Sequence, residues 1–287
     1  MIDNYLLEGL VTFSQCGTLA KTADRLGVTQ PAITRNMQKL EEELDAHLFK
    51  REPNRITLTE TGEFAAREAQ KVLQINAALA TKVHNFEQNQ AQVKVAANAP
   101  GPLIVLRSLK LPNVTTLPDL VLDNFAKLLD EKQVTCLLLN RPLTSATITA
   151  AYLGIERMAV NLPAGSALAG AKQLSFADLH DQTILSPHGI GFWEQIYQHR
   201  IPGSRILYQK HAHDYSDLLN YSVLPYFTTN LTRLDDNWGA DLPQNRLTIP
   251  LTDQVAQQKF YACFLKEDQH RLVSLIQQLQ DQWATVD

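Results

Sequence analysis

The sequence predicts a multidomain α and α/β chain, in which a small helical head with a β-hairpin leads through one long helix into a larger α/β body. Three features set this expectation. Residues 19–44 hold two short amphipathic runs broken at Gly27, residues 59–89 sustain an apolar stripe without proline, and after residue 92 short apolar runs alternate with helical ones. At 287 residues the chain is long enough for a small domain plus one or two larger ones, each with its own core. Its apolar content of 45% is ordinary for a globular protein.

In Leu19–Leu26 the small residues Ala20 and Ala23 stand one helical turn apart, with Leu19 and Leu26 apolar, so a second helix can approach closely. Gly27 suits the left-handed backbone that ends helices. Thr29 is expected to cap the next helix with its side-chain oxygen, and Pro31 falls in the first turn, where a missing N–H costs little. Along residues 29–44, TQPAITRNMQKLEEEL, Ile33, Met37, Leu40 and Leu44 recur at helical spacing and form the expected buried stripe. Gln30, Thr34, Arg35 and Gln38 project elsewhere, leaving a polar edge unclaimed by the core. The expected motif is helix, tight turn, helix.

Paired helices of this kind occur in many folds unrelated to DNA, and the next segment favours DNA. Residues 47–58, HLFKREPNRITL, hold two β-prone runs around Pro53 and Asn54 and predict a hairpin carrying Lys50, Arg51 and Arg55. Such a hairpin can grip phosphate or enter a minor groove while the helix occupies the major groove. Bulk charge adds nothing: residues 1–60 hold seven Lys or Arg against nine Asp or Glu, and the whole chain has a net charge of −4. Affinity for DNA must therefore come from placement, with Arg35, Lys39, Lys50, Arg51 and Arg55 facing phosphate and Glu41, Glu42, Glu43 and Asp45 pointed away.

From Tyr5 to about Gln90 the chain resembles the LysR-type transcriptional regulators of bacteria, through FSQCGTLAKTADRLGVTQPAITRNMQKLEEEL, then HLFKR and LTETG. The resemblance implies a winged helix-turn-helix over 1–59, a dimerising linker helix over 60–90 and a two-lobed, periplasmic-binding-protein-like effector domain over 91–287. It sets Thr29, Gln30, Pro31, Thr34, Arg35 and Gln38 near base edges or adjoining phosphates of double-stranded DNA. Arg35 and Gln38 are suited to read guanine and adenine through paired hydrogen bonds. The family likeness also implies RNA polymerase as a partner.

Residues 59–89 predict one helix of about 45 Å, at about 1.5 Å per residue. Val72, Ile75, Leu79, Val83 and Phe86 form its stripe, which needs a partner surface. The chain's own body could supply that surface. The family resemblance favours the same helix of a second subunit, giving a dimer or tetramer on a partly palindromic site.

Gln90–Gln92 reads as a hinge, followed by apolar or helical runs at 93–97, 103–110, 134–140, 158–162, 183–186, 192–199 and 261–265. The alternation predicts largely parallel sheets. The family implies lobe I at about 91–160 and 250–287 and lobe II at about 161–249, with the crossover at LGIERMAVNLP and a return near Arg246 to Phe264. Ligands of open α/β sheets bind beyond the carboxyl ends of strands, which singles out Asn98, Ala99, Pro100 and Gly101, then Ser186, Pro187, His188, Gly189 and Gly191. The second loop leads into a helix over 192–199 whose free amides suit an anion, so an anionic metabolite is the expected effector class. The alternative is a body without ligand, serving assembly or protein contacts. LPNVTTLPDL looks short for the first lobe, and YSVLPYFTTNL departs from the usual glycine-rich run of the family.

Enzyme chemistry finds no support in the sequence. GxSxG, HExxH and GxxxxGK[ST] are absent, and the two-residue spacing of His211 and His213 is too weak a pattern for a metal or nucleophilic site. Cys16, Cys136 and Cys263 make no zinc spacing and read as reduced thiols, so neither cofactor nor metal is expected. Without a basic leader or an apolar run of about 18 residues, the chain is expected to be cytoplasmic and away from membranes.

Overall fold

Glycine and threonine punctuate the first helices. In the computed structural model, which describes residues 2–53, 55–201, 203–209, 219, 222–235 and 245–286, α1 (Asn4–Cys16) and α2 (Leu19–Leu26) end at Gly17 and Gly27, whose φ angles are 72° and 67°. Thr18 caps α2 by accepting from the Lys21 amide at 3.4 Å. α3 (Gln30–Leu44) begins differently: no side chain caps it, and the Thr29 carbonyl, not its hydroxyl, receives the Ala32 and Ile33 amides. The expected Thr29 side-chain cap is therefore corrected.

Ile33, Met37 and Leu40 are buried, but Leu44, also expected in the stripe, is exposed at the helix end, where Asp45 turns the chain left-handed at φ 48°. Ala23 of α2 packs inward beside the buried Thr22, while Ala20 stays exposed. Leu6, Leu10 and Phe13 of α1 complete the core, with Phe13 edge-on to Phe49 at 5.5 Å. β1 (Phe49–Glu52) and β2 (Arg55–Leu58) pair antiparallel from Phe49↔Leu58 to Glu52↔Arg55. The expected hairpin thus forms, although Asn54 lies outside the described residues.

α4 (Glu60–Ala91) runs for 32 residues, begun by the Thr59 hydroxyl accepting from the Gly62 amide at 3.0 Å. Gly62 is required because a Cβ there would lie 2.1 Å from the Leu48 carbonyl oxygen. Helix occupies the first two residues of the expected hinge at Gln90–Gln92. The chain divides into two compact units, Met1–His84 and Asn85–Asp287.

The second unit is built on one sheet. β3 (Val93–Ala97), α5 (Pro100–Ser108), β4 (Val114–Thr116), α6 (Phe125–Asp130) and β5 (Cys136–Leu139) form its first part. β6 (Ile148–Pro163), β7 (Thr183–Pro187), α7 (Phe192–Arg200), β8 (Arg205–Gln209) and β9 (Tyr226–Thr229) follow. β10 (Arg246–Pro250), β11 (Gln257–Leu265) and α8 (Gln269–Ala284) close the chain. The strand order is β4-β3-β5-β11-β6-β9-β7-β8, with β10 also on β6.

The largely parallel expectation is corrected to a mixed sheet. Parallel pairs at each end, β3 with β4 and β5 and β7 with β8 and β9, flank antiparallel β5–β11–β6–β9. The cause is the 16-residue β6, which pairs with β11 through Arg157 and with β9 and β10 from Met158 onward. The change of partners falls within the run LGIERMAVNLP. β10 pairs with the second half of β6 and β11 with the first. Gly154 makes room for Trp283 of α8, whose Nε1 donates to the Ile155 carbonyl at 3.0 Å.

Candidate nucleic-acid interface and ligand cleft

On α3, Thr29, Gln30, Pro31, Arg35, Gln38 and Lys39 are exposed, while Thr34 is half-buried and donates its hydroxyl to the Gln30 carbonyl at 3.1 Å. A groove of about 610 Å³ brings Gln30 and Thr34 together with Arg51 and Arg55 of the hairpin. Four of the expected DNA residues thus share one concave face, lined also by Gly17, Thr18 and Ala20.

The charged residues are less uniform than their spacing suggested. Glu41, expected to point away, links α3 to the hairpin: Oε1 accepts from the Leu48 and Phe49 amides at 2.7 and 3.0 Å, and Oε2 from Arg51 at 3.0 Å. Arg51 is therefore partly neutralised. Lys50 pairs with Glu52 at 3.1 Å. Lys39 donates to the Tyr5 hydroxyl at 3.2 Å and lies near Asp3 and Glu43, which together raise its pKa, the Tyr5 hydrogen bond foremost. Arg35 forms no ion pair among the described residues. The Glu41 bracket was missed because an acidic residue within EEEL reads as a solvated helix face.

On α4, Val72, Ile75, Leu79, Val83 and Phe86 are between 43% and 63% exposed. Phe64, not included in the sequence stripe, is exposed as well.

In the second unit a cavity of about 220 Å³ lies beyond the ends of β3 and β7. Of the expected ligand residues, Pro100, Gly101, Pro187, His188 and Gly189 line it. Asn98 and Ala99 are instead buried in the loop after β3, and Ser186 is buried within β7. The Asn98 side-chain amide donates to Asn140 at 2.8 Å, the Asn98 backbone carbonyl receives the Phe192 amide, and Ser186 donates to the Pro187 carbonyl. Gly191, with φ 66°, holds these loops close, since a Cβ there would meet the Asn98 carbonyl oxygen at 2.1 Å.

The amides of the loop before α7 are taken by the chain itself. The Gly189 and Ile190 amides donate to Glu194 Oε1 at 2.7 and 3.3 Å, and His188 lies 3.8 Å from the same oxygen. His211 and His213 lie outside the described residues.

The sequence reading missed Glu156, at the point where β6 changes partners. It lines the cavity, is 2% exposed, and its Oε2 has no hydrogen-bond partner. Burial pushes its carboxyl up to about 7, offset in part by the Thr229 hydroxyl and by the Trp193 indole, whose N–H is not aligned for a full hydrogen bond. Gly101 lies directly on it, with a built Cβ 2.3 Å from Oε1. The available signal was a carboxylate inside the long apolar run ITAAYLGIERMAVNLP. Cys136 and Cys263 are buried, which pushes both thiols up, Cys263 to about 11.

Three helices with a tight turn, an exposed polar edge and an adjoining hairpin define a winged helix-turn-helix. Residues 5–63 match the family described as bacterial regulatory helix-turn-helix protein, lysR family, and this part of the chain is a LysR-type helix-turn-helix domain. Among similar proteins is the uncharacterized HTH-type transcriptional regulator YxjO of Bacillus subtilis (strain 168), 29% identical over 99 residues, 34% of each protein. Another is the HTH-type transcriptional regulator CrgA of Neisseria meningitidis serogroup C (strain 8013), 34% identical over 95 residues, 31% of this chain and 32% of that one. The chain matches about a third of the length of these relatives. A full-length OxyR from Pseudomonas aeruginosa, carrying a single cysteine substitution, shares the fold across 100% of this chain and 96% of its own, at 18% identity and a TM-score of 0.51. Among the described residues, no helix is long and apolar enough to cross a membrane.

Proposed function

We propose that the chain is a sequence-specific, DNA-binding transcriptional regulator of the LysR type. It works as a dimer or tetramer under control of a small molecule held in the second unit. The observation that carries this reading is the single face combining Gln30 and Thr34 with Arg51 and Arg55, beside the exposed Arg35 and Gln38. α3 fits a major groove and the hairpin the flanking backbone or minor groove. Residues 1–59 form the reading head and 60–90 the pairing helix, while 91–287 form the sensor, with lobe I at about 91–160 and 250–287 and lobe II at about 161–249. The exposed stripe from Val72 to Phe86 suits a second copy of α4, which would set two heads on a partly palindromic site.

Selection of bound fragments from the host's own genomic DNA, followed by gel shifts, tests the reading. Recovery of one related sequence with two half-sites is expected; uniform retention of all fragments would sink it. Leu79→Asp with Val83→Asp should convert the protein to a monomer in sedimentation and abolish tight binding to paired half-sites.

A second reading, in which the body only assembles or contacts proteins, is favoured by Glu194 filling the amides of the loop that leads into α7. A melting-temperature screen of acids, amino acids and sugars separates the two. Stabilisation by one class supports sensing, and silence supports assembly.

A further inference from the structure

We propose that the cavity at the β6 switch takes a small organic cation, a primary ammonium or an amidinium on an apolar body, which donates its hydrogen bond to Glu156. The proposal rests on the second unit being a ligand sensor and names the chemistry of that site.

Glu156 Oε2 is an acceptor without a donor, in a side chain 2% exposed that lines an open cavity. A buried polar atom left unpaired is costly, and a buried carboxylate more so, so the site gains most from a ligand that brings both a donor and a positive charge. The remaining walls fit the rest of such a molecule. Ile104, Met158, Trp193, Tyr197 and Phe227 are apolar or aromatic, and ring faces attract cations. At about 220 Å³ the space is small beside the roughly 300–1,000 Å³ of drug-sized sites, so the body is about one ring or a short chain.

An anion is disfavoured at the deep end. Its own charge would oppose ionised Glu156, and the nearby loop amides are already held by Glu194. The other titratable groups lining the cavity are Arg107 of α5, His188 before α7, Tyr197 of α7 and Asp235 after β9. Arg107 and His188 are exposed.

Position gives the contact a consequence. Glu156 immediately precedes the residues where β6 passes from β11 to β9, and Gly101 at the start of α5 rests on its carboxyl group. A cation seated there touches β6, α5, α7 and β9 at once. Its differential affinity for two arrangements of these elements is the free energy available to a switch.

The test uses the full chain with benzylamine and benzamidine as probes, against benzyl alcohol and benzoate of similar size, in thermal shift and calorimetry. Benzylamine or benzamidine should bind, more tightly at pH 8 than at pH 6, where protonated Glu156 competes. Glu156→Gln should weaken binding at least about tenfold, the loss of one charge-assisted hydrogen bond, and remove the pH dependence. Glu156→Asp should give an intermediate loss, and both variants should keep the wild-type far-UV circular dichroism, which shows that they fold. Benzoate or benzyl alcohol binding as well as benzylamine, or binding indifferent to Glu156→Gln, would overturn the cation assignment. If these probes fail while a wider panel of acids, amino acids and sugars raises the melting temperature, the cation assignment falls and the sensor stands. Silence from both panels removes both.

Discussion

α3 and α7 both begin at polar loops, yet the two starts differ in whether a side chain folds back onto the loop. α3 starts without a side-chain cap, and its Gln30, Arg35 and Gln38 are exposed. At α7 the preceding loop folds onto Glu194 of the helix's first turn, so the chain supplies its own anion. The same contrast extends to the two units. The head displays its charged side chains and buries apolar stripes with two threonine hydroxyls, Thr12 and Thr22, whereas the body buries a carboxylate at the centre of its longest strand. A surface that reads a large, charged partner can stay wet, but a site for a small molecule must be enclosed to bury most of it.

The largest effect expected from perturbing this contrast is in the head. Leu40 is 0% exposed, and Leu40→Ala should cost about 2–5 kcal/mol through lost burial and a cavity. Urea unfolding should show the loss in the transition of the first unit alone, because each unit has a separate core. Equal shifts in both transitions would break the division into display and enclosure.

Glu156 gives the next effect. Its folded pKa stands above the ordinary 4.5, at about 7, so folding favours the protonated form. The stability it contributes is complete below about 4.5 and is lost as the pH climbs through about 7, a total of roughly 3 kcal/mol. The second unit should therefore weaken over that window in wild-type protein, and Glu156→Gln should flatten this part of the profile. An unchanged slope in the variant would show that other groups carry it.

Patterns confined to one element were legible in the sequence, and contacts between elements were not. Ile33, Met37 and Leu40 revealed the buried face of α3 because helical period alone decides it. Leu44 failed because a helix end can meet the period and still have nothing packed over it. Thr29 failed for a related reason: capping depends on side-chain rotamer and approach angle, which residue type does not fix. The Glu41 bracket joins residues seven to ten positions apart across a turn, beyond any helical or strand period. Glu156 gave a local clue, a charge in an apolar run, but its cavity is assembled from α5, α7, β6 and β9, far apart in sequence. The parallel-sheet expectation failed because alternation of strands and helices does not disclose a strand as long as β6, which pairs on both sides with antiparallel partners.

On α3 the expected effects are smaller and differ in kind. Arg35→Ala should remove about 1–3 kcal/mol of discrimination between bases, measured by competition among variant sites. Arg55→Ala should instead weaken all sequences alike and flatten the salt dependence. Arg51, already paired with Glu41, should change binding less than Arg55 does. Equal losses of preference for Arg35 and Arg55 would contradict a division between base reading and phosphate contact.

The smallest effect tests the comparison of helix starts directly. Glu194→Ala should cost the second unit about 1 kcal/mol by leaving the Gly189 and Ile190 amides to solvent. It should also give the loop before α7 the anion response that Glu194 suppresses, because free amides ahead of a helix start favour negative charge. Melting of wild type and variant against sulfate, at fixed ionic strength, measures that response. Stabilisation confined to the variant would mean that the two helix starts differ by one side chain. No response in either would mean that the backbone before α7, with its left-handed Gly189 and Gly191, is shaped for Glu194 alone.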